Sequence, residues 1–128
     1  MIDHVSLGIT DFERSKKFYD AVLASLGMKR YHDYDGGSGY GLSAEKPFFW
    51  IGTPLDEGRP ARASGGTHIC FAAASRKAVD DFFRAAISAG ATDDGKPGLR
   101  PIYHLNYYGA FVLDPDGHKI EACCHKPE

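Results

Sequence analysis

The stretch 114–121 joins a turn to a charged residue inside a strand. Pro115 fixes φ at the first corner of a turn and Gly117 supplies a position of positive φ, so the flanking residues are predicted to pair as strands. Glu121 then lies in the middle of the second strand, 118–124, where a buried carboxylate must be paired or bound to a metal ion. The alternative is a solvent-facing Glu121 on an edge strand.

A second group of reactive side chains occupies 100–109, a segment dense in polar aromatic residues, histidine and asparagine. His104 is the candidate acid or base, and Tyr108 is a candidate hydrogen-bond donor to a developing oxyanion. Arg100 and Tyr107 are candidates for substrate binding, because a guanidinium pairs with carboxylates and a tyrosine carries a hydrogen-bonding tip on a rigid ring. The alternative is that these tyrosines pack half-buried with their hydroxyl groups in water.

Two segments of the chain have the same sequence pattern. The segments 4–9 and 67–72 both alternate polar and apolar residues, as half-buried strands do, and both run into an amphipathic helix. Thr10 has capping-box spacing to Glu13 at the first helix, and Ser75 opens the second helix. A constant offset of 64 residues aligns these pairs: His4 with His68, Asp11 with Ser75, Phe18 with Phe82, Tyr19 with Phe83 and Leu23 with Ile87.

Each helix is followed by short strands, so the chain contains two copies of a strand, a helix and three strands. In the second copy the strands are predicted at 100–103, 109–113 and 118–124. The chain is then a single domain, with module one at about 1–53, a linker at about 54–66 and module two at about 67–126. Arg59 and Arg62 in the linker are interpreted as solvated residues, with steering of an anion as the alternative.

Composition narrows the classes of function. A chain of 128 residues with 43% hydrophobic and 25% charged residues fits one globular domain, and a net charge of −2 without a basic run excludes nucleic-acid binding. The sequence contains neither a signal-peptide pattern nor a membrane-length apolar segment. Three cysteines, two of them adjacent and none in a C-x-x-C pair, predict small buried residues, neither a disulfide nor a thiolate zinc site, and a cytoplasmic location.

Four segments together resemble the vicinal oxygen chelate superfamily, which includes glyoxalase I, extradiol dioxygenases and bleomycin-resistance proteins. The segments are 2–5, the helix end at 18–19, 67–69 and 109–121. The resemblance implies an α+β fold in which two βαβββ modules form a cup-shaped mixed sheet with the helices outside. It also implies a divalent metal that chelates neighbouring oxygens of a substrate, and a homodimer.

Carried over by position, the resemblance implies that His4, His68 and Glu121 are metal ligands, and the ion would be Fe, Mn, Ni or Zn. Glyoxalase-like members have another carboxylate on the last strand of the first module, where this sequence has 48–51 without a Glu. The set therefore resembles the two-histidine, one-carboxylate arrangement of the dioxygenases. Trp50 in that strand is interpreted as a wall of the substrate site or as core. The alternative for the histidines is retention by ancestry without a metal.

Two functions follow from these residues. The first is a divalent-metal-dependent enzyme, a lyase, isomerase or dioxygenase, that acts on a small oxygenated substrate. The alternative is a metal-free small-molecule-binding protein of the bleomycin-resistance type, which the missing fourth ligand and the aromatic residues near 48–50 and 107–108 favour. Neither function involves a nucleic acid or a membrane. A structural or regulatory dimer without a ligand is a third possibility.

Overall fold

The structure is a computed structural model that describes residues 1–54 and 60–128. Within those residues the element order is β-α-β-β-β, repeated once, which confirms the predicted α+β class with two βαβββ modules. The predicted linker, including Arg59, lies partly outside the described residues, and the predicted module boundaries stay a prediction. Module one comprises β1 (Val5–Gly8), α1 (Phe12–Ala24), β2 (Lys29–Tyr34), β3 (Gly37–Gly41) and β4 (Pro47–Gly52), and module two comprises β5 (His68–Ala72), α2 (Arg76–Ser88), β6 (Thr92–Leu99), β7 (Tyr108–Leu113) and β8 (Lys119–Cys124).

Each module forms its own four-stranded sheet, and the two sheets have the same topology. Their strand orders are β1-β4-β3-β2 and β5-β8-β7-β6, with one parallel pair and two antiparallel pairs in each sheet. In the parallel pairs, Ser6 lies opposite Trp50 and Cys70 lies opposite Glu121. Since Ser6 and Cys70 are related by the 64-residue offset, Trp50 holds the position in module one that Glu121 holds in module two.

The two helices begin at residues related by the same offset. Ser75 is the N-cap of α2, as predicted, and its hydroxyl accepts a hydrogen bond from a backbone N–H of the first turn. The N-cap of α1 is Asp11, so the capping box predicted at Thr10 is wrong. The hydroxyl of Thr10 instead donates to Asp116 in module two at 2.5 Å, which removes it from the helix end.

The strand predicted at 100–103 is wrong, because these residues form a turn and β6 occupies Thr92–Leu99 instead. The sequence of β6 contains Asp, Gly and Pro, which strands disfavour, so propensity gave no signal for it. β6 is an edge strand whose register against β7 shifts on both sides of Gly95, a residue of positive φ. Pairing with β7 therefore outweighs the local preference of this segment.

One hydrophobic core runs through both modules. Phe49 on β4 contacts Phe71 on β5 edge to face, with ring centroids 5.1 Å apart, and the rings of Tyr19 and Phe49 are 5.0 Å apart. Core residues of both helices and both sheets join this cluster, so the apolar face of each module is covered by the other module.

The turn between β7 and β8 is bound to module one by polar contacts. The buried hydroxyl of Tyr19 on α1 donates to Asp114 at 2.5 Å, and Asp114 also accepts from the backbone N–H groups of Asp116 and His118 at 2.9 and 2.8 Å. His118 is buried, and its Nε2 lies 2.6 Å from the carbonyl oxygen of Gly8. These contacts fix the start of the strand that carries Glu121.

We predict that Tyr19→Phe destabilises the fold by about 1–3 kcal/mol, because the buried carboxylate of Asp114 loses its side-chain donor. Urea denaturation of the variant beside wild type measures this difference. Tyr31→Phe is the matched control, since the exposed Tyr31 hydroxyl makes a 3.3 Å bond at the surface and its loss should cost less than about 0.5 kcal/mol. Equal stabilities of the two variants would contradict the prediction.

The difference in stability between wild type and Tyr19→Phe should depend on pH. Burial and the neighbouring Asp114 raise the pKa of Tyr19 well above its ordinary value of 10.0. The folded protein therefore holds this proton more tightly than the unfolded chain, so the contribution is complete below pH 10.0 and is lost as the pH rises toward the folded-state pKa. The stability advantage of wild type over Tyr19→Phe should shrink in strongly alkaline buffer. A constant advantage would contradict this expectation.

Candidate functional site

The carboxylate of Glu121 is buried and has a partner at each oxygen. Glu121 is 1% exposed on β8, which lies between β5 and β7, so the solvent-facing alternative does not apply. Its Oε2 lies 3.1 Å from Nε2 of His68, and its Oε1 accepts a 2.5 Å hydrogen bond from the hydroxyl of Tyr107. Desolvation and the bond to Glu121 raise the pKa of Tyr107 above its ordinary value of 10.0, so the hydroxyl remains a donor.

Two thiols complete this group, which we call the Glu121 cluster: His68, Cys70, Tyr107, Glu121 and Cys123. A sulfur atom from each cysteine and one Glu121 oxygen all lie within 4.8 Å of one another. Cys123 is buried, but Cys70 is exposed, so the prediction of small buried cysteines is wrong at Cys70. The pKa of Cys70 is nevertheless raised by desolvation of its thiol, by a hydrogen bond with the free thiol of Cys123 and by the charge of Glu121. Cys70 therefore keeps its proton at neutral pH.

His4 lies on the β1 side of the cavity that His68 and Cys70 line on the β5 side. This cavity has a volume of about 470 Å³. The side chain of His4 is exposed, and its Nδ1 lies 2.6 Å from Asp3. The structure therefore brings His68 and Glu121 into contact and places His4 in one cavity with His68. His4 does not belong to the close group of ligand atoms found in the described residues.

The donor atoms of His68 and Glu121 fit a divalent metal ion. Two metal bonds of about 2.0–2.2 Å place neighbouring ligand atoms about 3.0–3.4 Å apart, and the observed separation is 3.1 Å. The Tyr107 bond orients the carboxylate, as hydrogen bonds to metal-binding carboxylates do. Asp3 holds Nδ1 of His4 in the same manner and leaves Nε2 of that ring for a ligand role.

His104 reaches the Glu121 cluster through His125. Nε2 of His104 lies 2.6 Å from Nδ1 of His125, whose Nε2 lies 3.5 Å from the sulfur of Cys123. Both imidazole rings stand edge to face against Tyr107, with centroids 5.5 and 5.2 Å from its ring. The structure thus places the candidate acid or base beside the cluster but not in contact with Glu121. Cys70 and Cys123 were missed as site residues, although each follows a candidate ligand by two positions on the same strand face.

The other residues of the 100–109 segment divide between two faces of the sheet. Tyr108 points toward α2, where its hydroxyl donates to Asp80 at 2.7 Å, so it is not brought together with Glu121. Arg100 lies over the ring of Phe111 at 5.6 Å, and Phe111 is the direct neighbour of Glu121 across β7 and β8. The Nζ of Lys119 lies 4.8 Å from the centre of the same ring. Two cations therefore stand beside the Glu121 cluster.

Trp50 is half-buried and belongs to an aromatic surface on module one, not to the core. The rings of His32 and Tyr34 lie 5.8 and 6.1 Å from its centroid, at interplanar angles of 26° and 8°. The indole lies across Gly39, where a Cβ atom would be 2.7 Å from the ring. Cavities of about 670 and 360 Å³ adjoin Trp50, and His4 lines both of them. Sequence reasoning missed His32 and Tyr34, although glycine at alternate positions of β3 marks a sheet face open to large rings.

We predict that Gly39→Ala displaces the indole of Trp50, because the new methyl group would overlap the ring. The chain contains one tryptophan, so its fluorescence spectrum and its quenching by acrylamide report on this residue alone. Gly65→Ala is the matched control, since a Cβ atom there meets nothing within 4 Å. The emission of Gly39→Ala should change while that of Gly65→Ala matches wild type. Identical emission from all three proteins would contradict the position of Trp50.

Comparisons with known proteins agree on one family. A sequence model of the Glyoxalase/Bleomycin resistance protein/Dioxygenase superfamily matches residues 1–122. The crystal structure of a glyoxalase/bleomycin resistance protein from Albidiferax ferrireducens is 37% identical, covers 95% of this chain and 97% of its own, and superposes with a TM-score of 0.86. No curated protein matches the chain. Among the described residues no helix has the length and apolar character needed to cross a membrane.

Two further crystal structures share the fold alone. A glyoxalase-related enzyme from Fulvimarina pelagi is 19% identical over 97% of this chain and 87% of its own, with a TM-score of 0.74. A fosfomycin resistance protein from Listeria monocytogenes is 14% identical over 99% of this chain and 94% of its own, with a TM-score of 0.69.

Proposed function

Because the chain belongs to the Glyoxalase/Bleomycin resistance protein/Dioxygenase superfamily, we propose that it is a divalent-metal-dependent enzyme acting on a small oxygenated substrate. The proposal covers lyase, isomerase and dioxygenase chemistry. Its main support is the buried carboxylate of Glu121 in contact with His68 at 3.1 Å. Together with His4, which lines one cavity with His68, these residues would hold Fe, Mn, Ni or Zn.

The ligand set leaves room for a substrate. Trp50 occupies the module-one position that corresponds to Glu121, so this position offers no carboxylate. Two imidazoles and one carboxylate leave open coordination positions. When bound, the ion supplies Lewis acidity toward neighbouring oxygens of the substrate.

The other residues of the site would orient the substrate and handle protons. Tyr107 holds the carboxylate of Glu121 in a fixed orientation through its 2.5 Å hydrogen bond. The His104–His125 pair beside Tyr107 accepts or delivers a proton at the edge of the site. Arg100, over Phe111, favours a substrate that carries a negative charge, whereas Lys119 is already paired with Asp94 at 3.1 Å. Tyr108 receives no role, since its hydroxyl is bound to Asp80.

The functional protein would be a homodimer. Ile102 and Leu105, in the loop between β6 and β7, are 82% and 81% exposed, and apolar side chains of this size are commonly covered in an assembly. The loop also carries His104, so a partner that covers it would shield the edge of the site from water. The cytoplasmic location expected from the cysteines stays a prediction.

We predict that Glu121→Gln lowers the affinity for the metal by more than about tenfold, because the amide keeps the shape of the side chain but removes its charge. Elemental analysis of protein purified without chelator, followed by competition with a metal-binding dye, measures this loss. Glu13→Gln is the control, since Glu13 is a largely exposed residue of α1 paired with Lys16. Wild-type protein without stoichiometric metal, or full metal content in Glu121→Gln, would contradict the proposal.

A second candidate function is metal-free binding of a planar small molecule. The aromatic surface formed by His32, Tyr34 and Trp50 favours it, because near-parallel rings on an open sheet face can stack against a flat ligand. The cavities on both sides of Trp50 provide the space.

Titration of planar heteroaromatic cations and anions in the presence of EDTA tests this function through the fluorescence of Trp50. At least one probe should quench the emission in wild type and in Gly65→Ala, and should lose at least about tenfold in affinity in Gly39→Ala. Trp50 fluorescence that does not change with any probe of the panel would reject the metal-free function. Quenching that survives in Gly39→Ala would place the ligand elsewhere.

A further inference from the structure

We propose that Cys70, Glu121 and Cys123 form a sulfur-containing site for a thiophilic divalent ion such as Zn(II). This site shares Glu121 with the proposed function but does not depend on it, since neither His4 nor His68 is a member. The inference departs from the sequence prediction that these cysteines have no metal role.

The geometry of the three donors carries the inference. Their ligand atoms lie within 4.8 Å of one another, and a tetrahedral zinc ion with sulfur and oxygen ligands requires separations of about 3.5–3.8 Å. Rotation of the side chains that moves the donor atoms about 1 Å closer together therefore gives the separations that zinc requires. The register supports the grouping, because Cys70 lies directly opposite Glu121 on the parallel neighbouring strand and Cys123 follows Glu121 on the same face.

The surroundings of the three donors suit a catalytic ion. Three protein ligands leave the fourth tetrahedral position open, as in catalytic zinc sites. Cys70 lines a cavity together with His68, and this cavity would give a substrate oxygen or water access to the ion. His68 and Tyr107 hold Glu121 from outside the set and would orient the carboxylate toward the ion.

Metal binding at this site exchanges protons for the ion. Each cysteine loses the hydrogen of its S–H bond as the metal–sulfur bond forms, and two protons leave for each ion bound. Nε2 of His125 lies 3.5 Å from the sulfur of Cys123 and would donate a hydrogen bond to the resulting thiolate, because Asn106 donates to Nδ1 of His104 and Nε2 of His104 then donates to Nδ1 of His125.

Sulfur ligands change which metal ion the site binds most tightly. Thiolates favour Zn(II) over Mn(II) and Mg(II), whereas a set of imidazole and carboxylate ligands discriminates less among these ions. Zn(II) and its spectroscopic substitute Co(II) are therefore the expected occupants.

Titration of the reduced full-length chain with Co(II) tests the site, because cobalt–thiolate bonds give a charge-transfer absorption in the near ultraviolet that nitrogen and oxygen ligands do not give. Wild type should show this band, and Zn(II) should abolish it by displacement. Cys70→Ala and Cys123→Ala should each lose at least about half of the band. Cys124→Ala is the matched control, since Cys124 is the buried neighbour that faces the core, and should keep the band.

His4→Ala separates this site from the proposed function, because His4 is a ligand of the proposed centre only. The sulfur site should keep its cobalt band in this variant, while a centre made of His4, His68 and Glu121 should lose its metal. Cobalt that binds stoichiometrically without the charge-transfer band would overturn the sulfur site and leave the proposed function standing. A band that is unchanged in Cys70→Ala and Cys123→Ala would also overturn it. Circular dichroism of each variant establishes that the fold is retained.

Discussion

Burial of a carboxylate is the constraint on which the rest of this molecule depends. Glu121 is 1% exposed, so its charge is tolerated only because His68 and Tyr107 meet its two oxygens. Those partners come from different strands and loops of module two, which must hold their spacing to within a few tenths of an ångström. The hydrogen bonds of Asp114 and His118 to module one anchor the start of β8, and the core shared by both modules packs against the sheet. Fold and site are stabilised by the same contacts.

The repeat explains why one chain offers two kinds of surface. Equivalent positions on the parallel strands hold Trp50 in module one and Glu121 in module two, so the same backbone geometry presents an indole on one sheet and a carboxylate on the other. The neighbouring strand follows this difference, since Gly39 makes room for the indole whereas Phe111 lies opposite Glu121. In the two proposed functions, stacking on a ligand would use module one and metal binding would use Glu121 of module two, and His4 lines cavities next to both Trp50 and His68.

Much of this arrangement could be predicted from the sequence. Alternating polarity and the turn at Gly117 are local signals, and the 64-residue offset shows that the first of them occurs twice, so the two modules and the pairing of β7 with β8 could be predicted. β6 could not be predicted, since its stability comes from pairing with β7 and not from its own residues. The contact of His68 with Glu121 followed from the resemblance, but the approach of Cys70 and Cys123 depends on strand register, which local patterns do not contain. The same limit applies to Tyr108. Its hydroxyl contacts Asp80 and not the Glu121 cluster because of the face of β7 on which it lies, and the sequence did not show that face.

The separation of the sheets bears on how the chain folds. Among residues 1–54 and 60–128 the strands pair within a module, so each sheet forms from a contiguous stretch of fewer than about 60 residues, and the two modules are joined by contacts that involve side chains. The whole Glu121 cluster belongs to the second stretch. We therefore expect the carboxylate to gain its partners during local assembly, before the two halves dock, and His4 to join the cavity only at docking. The Glu121 cluster would then form before the contacts between the two modules.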